Sequence, residues 1–204
     1  NEMPLIVFIQ QRHPMAVIIV EREWGISWLA DIAIAGIAGG ADIILLPEMP
    51  YNFDSVLMAV KQRNKAGKRF SILAVAEGAI SQEDAQLSKK EYQKKKANSP
   101  FPSVSYELGK KIQDALGQEV RIVVPGHTQR GEPDAYDRVV ATRLGAAAGR
   151  MILEGKYGCM AAFKNNEIVP VPLKEVAGRL KTVDPKSDII REARDMGISF
   201  GNEL

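Results

Sequence analysis

VRIVVPGHTQRGEPDAYDRVVATRLGAAAG, residues Val120 to Gly149, reads as a strand, a tight polar loop and the start of a helix. Ile122 to Pro125 supply four apolar or β-branched positions after Arg121. Gly126, His127, Gln129, Arg130 and Gly131 form the loop, and the segment led by Pro133 turns helical. In an open α/β sheet, the loop beyond the carboxyl end of a strand is where ligands bind. An imidazole and a guanidinium stand in this loop, and Arg121 stands at the other end of the strand. Such a set suits a phosphate better than a neutral ligand, because Arg offers a planar fork of donors to phosphate oxygens. The competing reading of His127 and Arg130 is a loop held by its own hydrogen bonds. That of Arg121 is a surface cation at a strand start.

Outward from this stretch the pattern repeats. Met15 to Val20 is a continuous apolar run, as expected of a strand buried on both faces. Trp28 to Ala38 reads as an apolar helix closed by Gly39 and Gly40. Asp42 to Leu46 is a second buried strand that Pro47 ends. Asp54 is expected to cap a helix to Ala66, with Phe53 and Met58 as a hydrophobic staple and Gly67 as the stop. Arg69 to Ala76 gives a third strand, finishing at Glu77 and Gly78. Strands alternating with helices of this length predict βαβ units and a mainly parallel sheet.

Residues 79–100 read as a lysine-rich surface excursion, with Ser81 and Asp84 as a capping pair and Lys89, Lys90, Lys94, Lys95 and Lys96 dominating. Ser103 opens a helix with Val104, Leu108, Ile112 and Ala115 on one face, stopped by Gly117. The helix after the loop places Val140, Leu144, Ala147 and Met151 on a buried stripe. Cys159 to Phe163 and Glu167 to Val171 read as a hairpin. A last helix covers about Ser187 to Met196. No repeat or linker divides the chain, so residues 1–204 read as one α/β region.

Composition narrows the function classes. The 204 residues are 46% hydrophobic and 25% charged, with a net charge of +2, the profile of an ordinary globular protein with no general pull toward nucleic acid. A solvated face is the expected role of the lysine run. No apolar run approaches the ~20 residues of a membrane span. A single cysteine, Cys159, allows no internal disulfide and fits a reducing, cytoplasmic compartment. Two histidines and one cysteine are too few for a convincing zinc site. No phosphate-loop or dinucleotide fingerprint occurs, since Gly36, Gly39 and Gly40 close a helix before a strand, the reverse of that order.

GHTQRG followed by AYDR, with an Arg six residues before the His, resembles the 6-phosphofructokinase family. Its pattern there reads R-x5-H-x-Q-R-G-G and then P-x-A-Y-D-R. One departure is visible: Glu132 follows Gly131, where the family has a second glycine. The resemblance covers most of residues 15–200 and matches only the later half of a phosphofructokinase. It implies a Rossmann-like, mainly parallel sheet with helices on both faces. It also implies fructose 6-phosphate as ligand, with His127 and Arg130 holding its 6-phosphate and sugar. Arg121 corresponds to a phosphate arginine that reaches a neighbouring subunit's site, which implies a homo-oligomer. Glu77 corresponds to a glutamate that contacts sugar hydroxyls; a carboxylate at the carboxyl end of a strand can accept from such hydroxyls, and its spare reading is a cap for the next segment. Asp42 and Lys68 match places where family members bind an allosteric nucleotide and its metal.

The reaction implied is phosphoryl transfer from ATP or pyrophosphate to the sugar 1-hydroxyl, with magnesium. No catalytic residue and no metal ligand is assigned in this chain. The family's G-G-D-G donor loop and its T-x-D-x-D loop, whose Asp is the general base, do not occur. Neither does its M-G-R sugar contact: Glu21 to Ile26 reads EREWGI, and neither Arg12 nor Arg22 occupies the matching position. The expectation is therefore the fructose 6-phosphate-binding part of the enzyme, with donor and base supplied by a missing N-terminal half. A non-catalytic sugar-phosphate-binding or regulatory subunit derived from that half is the alternative.

Overall fold

The computed structural model describes residues 16–22, 32–124, 132–178 and 182–203, with the backbone alone for 16–22. They fall into two compact units. The larger carries β1 (Ala16–Arg22), α1 (Ile32–Ala38), β2 (Ile43–Leu45), α2 (Phe53–Lys65) and β3 (Phe70–Ala76). It continues with α3 (Gln82–Ala85), α4 (Lys89–Ala97), α5 (Val104–Leu116) and β4 (Glu119–Val123). The smaller holds α6 (Ala135–Leu153), a hairpin of β5 (Cys159–Lys164) and β6 (Glu167–Pro172), and a short α7 (Leu173–Val176). The final helix, α8 (Asp188–Asp195), belongs to the larger unit.

The strand order is β2-β3-β1-β4, and every pairing is parallel. Successive strand side chains point to opposite faces, and the sequence fills both. Ile43, Leu45, Leu73 and Val75 face one core, which α2 and α5 close with Val56, Val60, Leu108 and Ile112. Ile44, Leu46 and Ala74 face the other, closed by Ile32 and Ala33 of α1 and by Ile190 and Ala193 of α8. Two buried faces are why these strands are continuously apolar instead of alternating. The parallel α/β sheet with helices on both sides is as expected. Gly36 does not close its helix but lies inside it, where a Cβ would sit 2.7 Å from Ile44 Cδ1. Its missing side chain lets α1 approach the sheet.

Several boundaries differ from the sequence reading, for local reasons. The cap of α2 is Asn52, whose side chain accepts from the backbone N–H groups of Asp54 and Ser55. Asp54 instead lies in the first turn, where its charge suits the positive end of the helix. Met58 is 43% exposed and staples nothing; Tyr51 and Val56, flanking the true cap at N′ and N4, are buried in one core. Asn52→Ala is expected to cost about 1 kcal/mol of stability. Urea unfolding measures it, and an unchanged midpoint would mean that the cap carries no weight.

On α5 the buried face is Ser105, Leu108, Gly109 and Ile112, with Ala115 exposed. Gly117 ends that helix at φ 63. The lysine-rich segment is helical and fully exposed on most of α4, opened by a capping box between Ser88 and Glu91. Its Lys94, Lys95 and Lys96 sit in the last turn, the favourable end for cations. The tail does more than form a helix. Ser199 bridges Ile43 in parallel, with Ile44 N donating to Ser199 O at 2.8 Å.

In the smaller unit, Asp134 and Asp137 form a capping box at the start of α6. Ala147 and Met151 of the expected stripe are buried. Arg143 of α6 donates to the Asn166 carbonyl at 2.9 Å and lies 5.2 Å over the Phe163 ring, fastening the hairpin. Asn165 and Asn166 carry φ 49 and 68 at its turn, the conformation Asn tolerates in tight hairpins.

Candidate functional site

All four strands of the sheet run the same way, so their carboxyl ends share one edge. Glu77 follows β3 directly, and β4 ends at Val123. Only β1 separates those strands, so they lie two strand spacings, roughly 10 Å, apart across the sheet. His127 and Arg130 themselves lie outside the described residues.

Glu77 is half-buried and lines a cavity of about 480 Å³. It forms no ion pair with another described residue. Nor is it the cap of the following segment: Ser81 takes that role, accepting from Asp84 N at 3.1 Å. Tyr51 forms part of the cavity floor, and Tyr92, Lys95, Lys96 and Phe101 come from the excursion that follows β3. Burial first, and then the carboxylates of Glu107 and Asp84, push the Tyr51 phenol well above its ordinary range, so it stays a donor at any physiological pH. Burial, Asp84 and Glu107 raise Tyr92 in the same direction. Lys95 bonds the Asp84 carboxylate, which ties α4 to the Ser81 turn and holds the Lys95 ammonium charged. Sequence reasoning missed that these residues share a cavity with Glu77. The available signal was the Ser88–Glu91 capping box, which marks the lysine run as an ordered helix.

Arg121 lies within β4, with its Nε 2.8 Å from Glu119 Oε1. β4 is the last strand of the described sheet, and the Arg121 side chain is 41% exposed. The guanidinium therefore stands on an outer strand, away from the carboxyl edge that carries Glu77.

Asp42 and Lys68 are brought together in a different place. Asp42 precedes β2 and Lys68 precedes β3, so both stand at the amino edge of the sheet. They line a second cavity, also of about 480 Å³, with Arg63, Gln62, Arg194 and Glu203. Asp42 is heavily engaged there. Its Oδ2 accepts from Ile72 N at 2.8 Å and its Oδ1 lies 2.9 Å from Arg63 Nη1. Desolvation raises its carboxyl above the usual value, while the Ile72 bond and the Arg63 and Lys68 charges pull it back. Arg63 was not legible as its partner, because α2 and the start of β2 meet only in the folded chain. Among the described residues, no group of three His, Cys, Asp or Glu side chains is placed to hold a metal ion.

A parallel sheet with helices on both faces and a half-buried carboxylate at its carboxyl edge define an open-sheet α/β protein, of the class that binds ligands at that edge. More particularly, the chain belongs to the phosphofructokinase family, whose model matches residues 17–152. It is 45% identical over 177 residues to an ATP-dependent 6-phosphofructokinase of Spirochaeta thermophila, covering 86% of this chain and 48% of that protein. An ATP-dependent 6-phosphofructokinase of Chloroflexus aurantiacus is 41% identical over 179 residues, at 87% and 48% coverage. The chain thus spans about half the length of the curated relatives it matches. Among solved structures, phosphofructokinase from Pichia pastoris aligns with a TM-score of 0.55 at 31% identity, over 81% of this chain and 18% of that one. A pyrophosphate-dependent phosphofructokinase from Nitrosospira multiformis aligns at 0.63 over 92% of this chain and 49% of that one. At 17% identity, that second likeness speaks for the fold alone.

Proposed function

We propose that this chain is the fructose 6-phosphate-binding part of a 6-phosphofructokinase, an enzyme that transfers a phosphoryl group to the sugar 1-hydroxyl. The observation that supports the reading is that Glu77, after β3, stands at the same sheet edge as the end of β4, two strands apart, and that the sequence GHTQRG follows β4 in the chain. Glu77, with no ion pair among the described residues, is available to accept from a sugar hydroxyl. His127 and Arg130 grip the 6-phosphate; a bidentate Arg contact fixes both charge and orientation. Arg121 reaches a phosphate bound to a second copy of the chain, a role that its exposed place on an outer strand supports. Asp42 and Lys68 contribute to an effector site at the opposite edge, in the cavity they share.

Phosphoryl transfer is mostly positioning and charge neutralisation, and a metal ion would supply part of that neutralisation on the donor side. ATP or pyrophosphate with magnesium is the donor in this reading. The described residues do not fit a magnesium site, and none of them is assigned to the ion.

Arg130→Ala tests the grip. It is expected to weaken fructose 6-phosphate binding by about 1.5–3 kcal/mol, the range for hydrogen bonds to charged groups. Fructose, which lacks the phosphate, should bind mutant and wild type alike. Calorimetric titration gives both numbers, and an unchanged fructose 6-phosphate affinity removes Arg130 from the site.

A further inference from the structure

The cavity beside Glu77 is built largely by residues 81–103, the segment from the cap of α3 to the start of α5. Its volume, about 480 Å³, lies in the range of small-ligand sites. Its charges sort into two groups. Asp84 is paired with Lys95, and Glu107 with Lys111 at 2.7 Å. Glu77 and Lys96 have no ion-pair partner among the described residues. One carboxylate and one ammonium are therefore left facing the same space. The first accepts from hydroxyls and the second donates to an anion. Tyr51 adds a phenol that burial keeps protonated, and the Tyr92 and Phe101 rings add apolar faces of the kind that cover one side of a sugar.

We propose that residues 81–103 form the outer wall of the sugar-phosphate site and that Lys96 is a positioning residue, its ammonium bonding a phosphate oxygen of the ligand whose hydroxyl Glu77 holds. This rests on the proposed function, because it takes the Glu77 carboxylate as a sugar contact. Lys95 serves the wall differently: its bond to Asp84 holds α4 in place, which leaves the next residue's charge available. The rest of the lysine run, Lys89, Lys90 and Lys94, lies outside the cavity lining.

The test is calorimetric titration of the 204-residue chain with fructose 6-phosphate and, separately, with fructose. Lys96→Ala, Lys96→Arg, Lys90→Ala and Glu77→Gln are compared with wild type. Lys96→Ala is expected to weaken fructose 6-phosphate binding about five- to tenfold, the low end for a charged hydrogen bond because Lys96 is exposed. It should leave fructose binding unchanged and flatten the salt dependence of fructose 6-phosphate binding. Lys96→Arg should recover most of the loss, and Lys90→Ala should show none. Thermal melting of each variant reports whether folding is intact, and an exposed lysine predicts that it is. If Lys96→Ala binds fructose 6-phosphate like wild type while Glu77→Gln binds it weakly, the wall is overturned and the proposed function stands. A wild-type chain that does not bind fructose 6-phosphate overturns both. Equal losses in Lys96→Ala and Lys90→Ala would reduce the effect to bulk charge and overturn the assignment of Lys96.

Discussion

Purified by itself and supplied with fructose 6-phosphate, the 204-residue chain is expected to form no detectable fructose 1,6-bisphosphate. ATP and pyrophosphate should fail alike, with or without magnesium. The expectation follows from which parts of the reaction the residues can serve. In the proposed function Glu77, His127 and Arg130 serve only the acceptor, holding a hydroxyl and a phosphate. Neither a G-G-D-G loop to cradle the donor nor a T-x-D-x-D loop to supply the base occurs in the sequence. General-base catalysis alone is typically worth ~10²–10⁴-fold. Bringing two reactants into register can be worth ~7–11 kcal/mol of the barrier. Loss of both leaves an acceptor site with almost no rate enhancement. A coupled assay for fructose 1,6-bisphosphate, with a full-length ATP-dependent relative as control, gives the answer. Turnover within about a hundredfold of that control, the worth of one general base at its weakest, would require a donor site in this chain outside the described residues. Binding of fructose 6-phosphate without turnover is the result that the proposed function predicts. It would also be shown by a non-catalytic subunit, and adding a chain that carries the donor loop and the base separates the two.

The layered fold was legible because its signals are local. Strands buried on both faces must be continuously apolar, and Ile43 to Leu46 and Ile72 to Val75 are. Helix ends announce themselves through glycine at Gly117 and through Ser103, and the hairpin turn through Asn165 and Asn166. The misplaced details depend on which of two adjacent polar groups wins a local competition. Asn52 and Asp54 are both good capping residues. Asn52 takes the cap because its carbonyl reaches two backbone donors at once, and that leaves Asp54 to the first turn.

Of the candidate site, the residue types were legible and the neighbours were not. Glu77 was recognisable as a strand-end carboxylate. That Lys96 and Tyr92 share its cavity depends on how α4 folds back, and no periodicity encodes it. Asp42 matched, by resemblance alone, a place where family members bind an allosteric nucleotide and its metal, and the fold gives it a backbone donor from Ile72 and the guanidinium of Arg63. A carboxylate so engaged stitches the start of β2 to β3 and α2 whatever else it binds. The return of the tail to the sheet, with Ser199 beside Ile43, was invisible because pairing across such a separation leaves no local pattern.

That return makes Gly201 a point of unusual constraint. Gly201 has φ +67, and its carbonyl accepts from Asn52 N at 2.7 Å, next to the cap of α2. A Cβ there would lie 2.7 Å from Leu45 Cδ2 and 2.9 Å from Val56 Cγ2, both fully buried. Gly40 offers a matched comparison: its φ is +68, but a Cβ would meet nothing within 4 Å. Both Ala substitutions carry the left-handed backbone cost of about 1–2 kcal/mol. Gly201→Ala adds overpacking, typically about 1–3 kcal/mol. Leu45 and Val56 have little room to yield, because they belong to the same closely packed core. Gly201→Ala should therefore destabilise by about 2–5 kcal/mol and Gly40→Ala by about 1–2. For a chain of this length that is a fall in melting temperature of roughly 4–20 °C against roughly 2–8 °C. Thermal unfolding of the two variants measures the difference directly. Equal melting temperatures would show that the tail does not press Gly201 against Leu45 and Val56, and would remove the tail from the core of the larger unit.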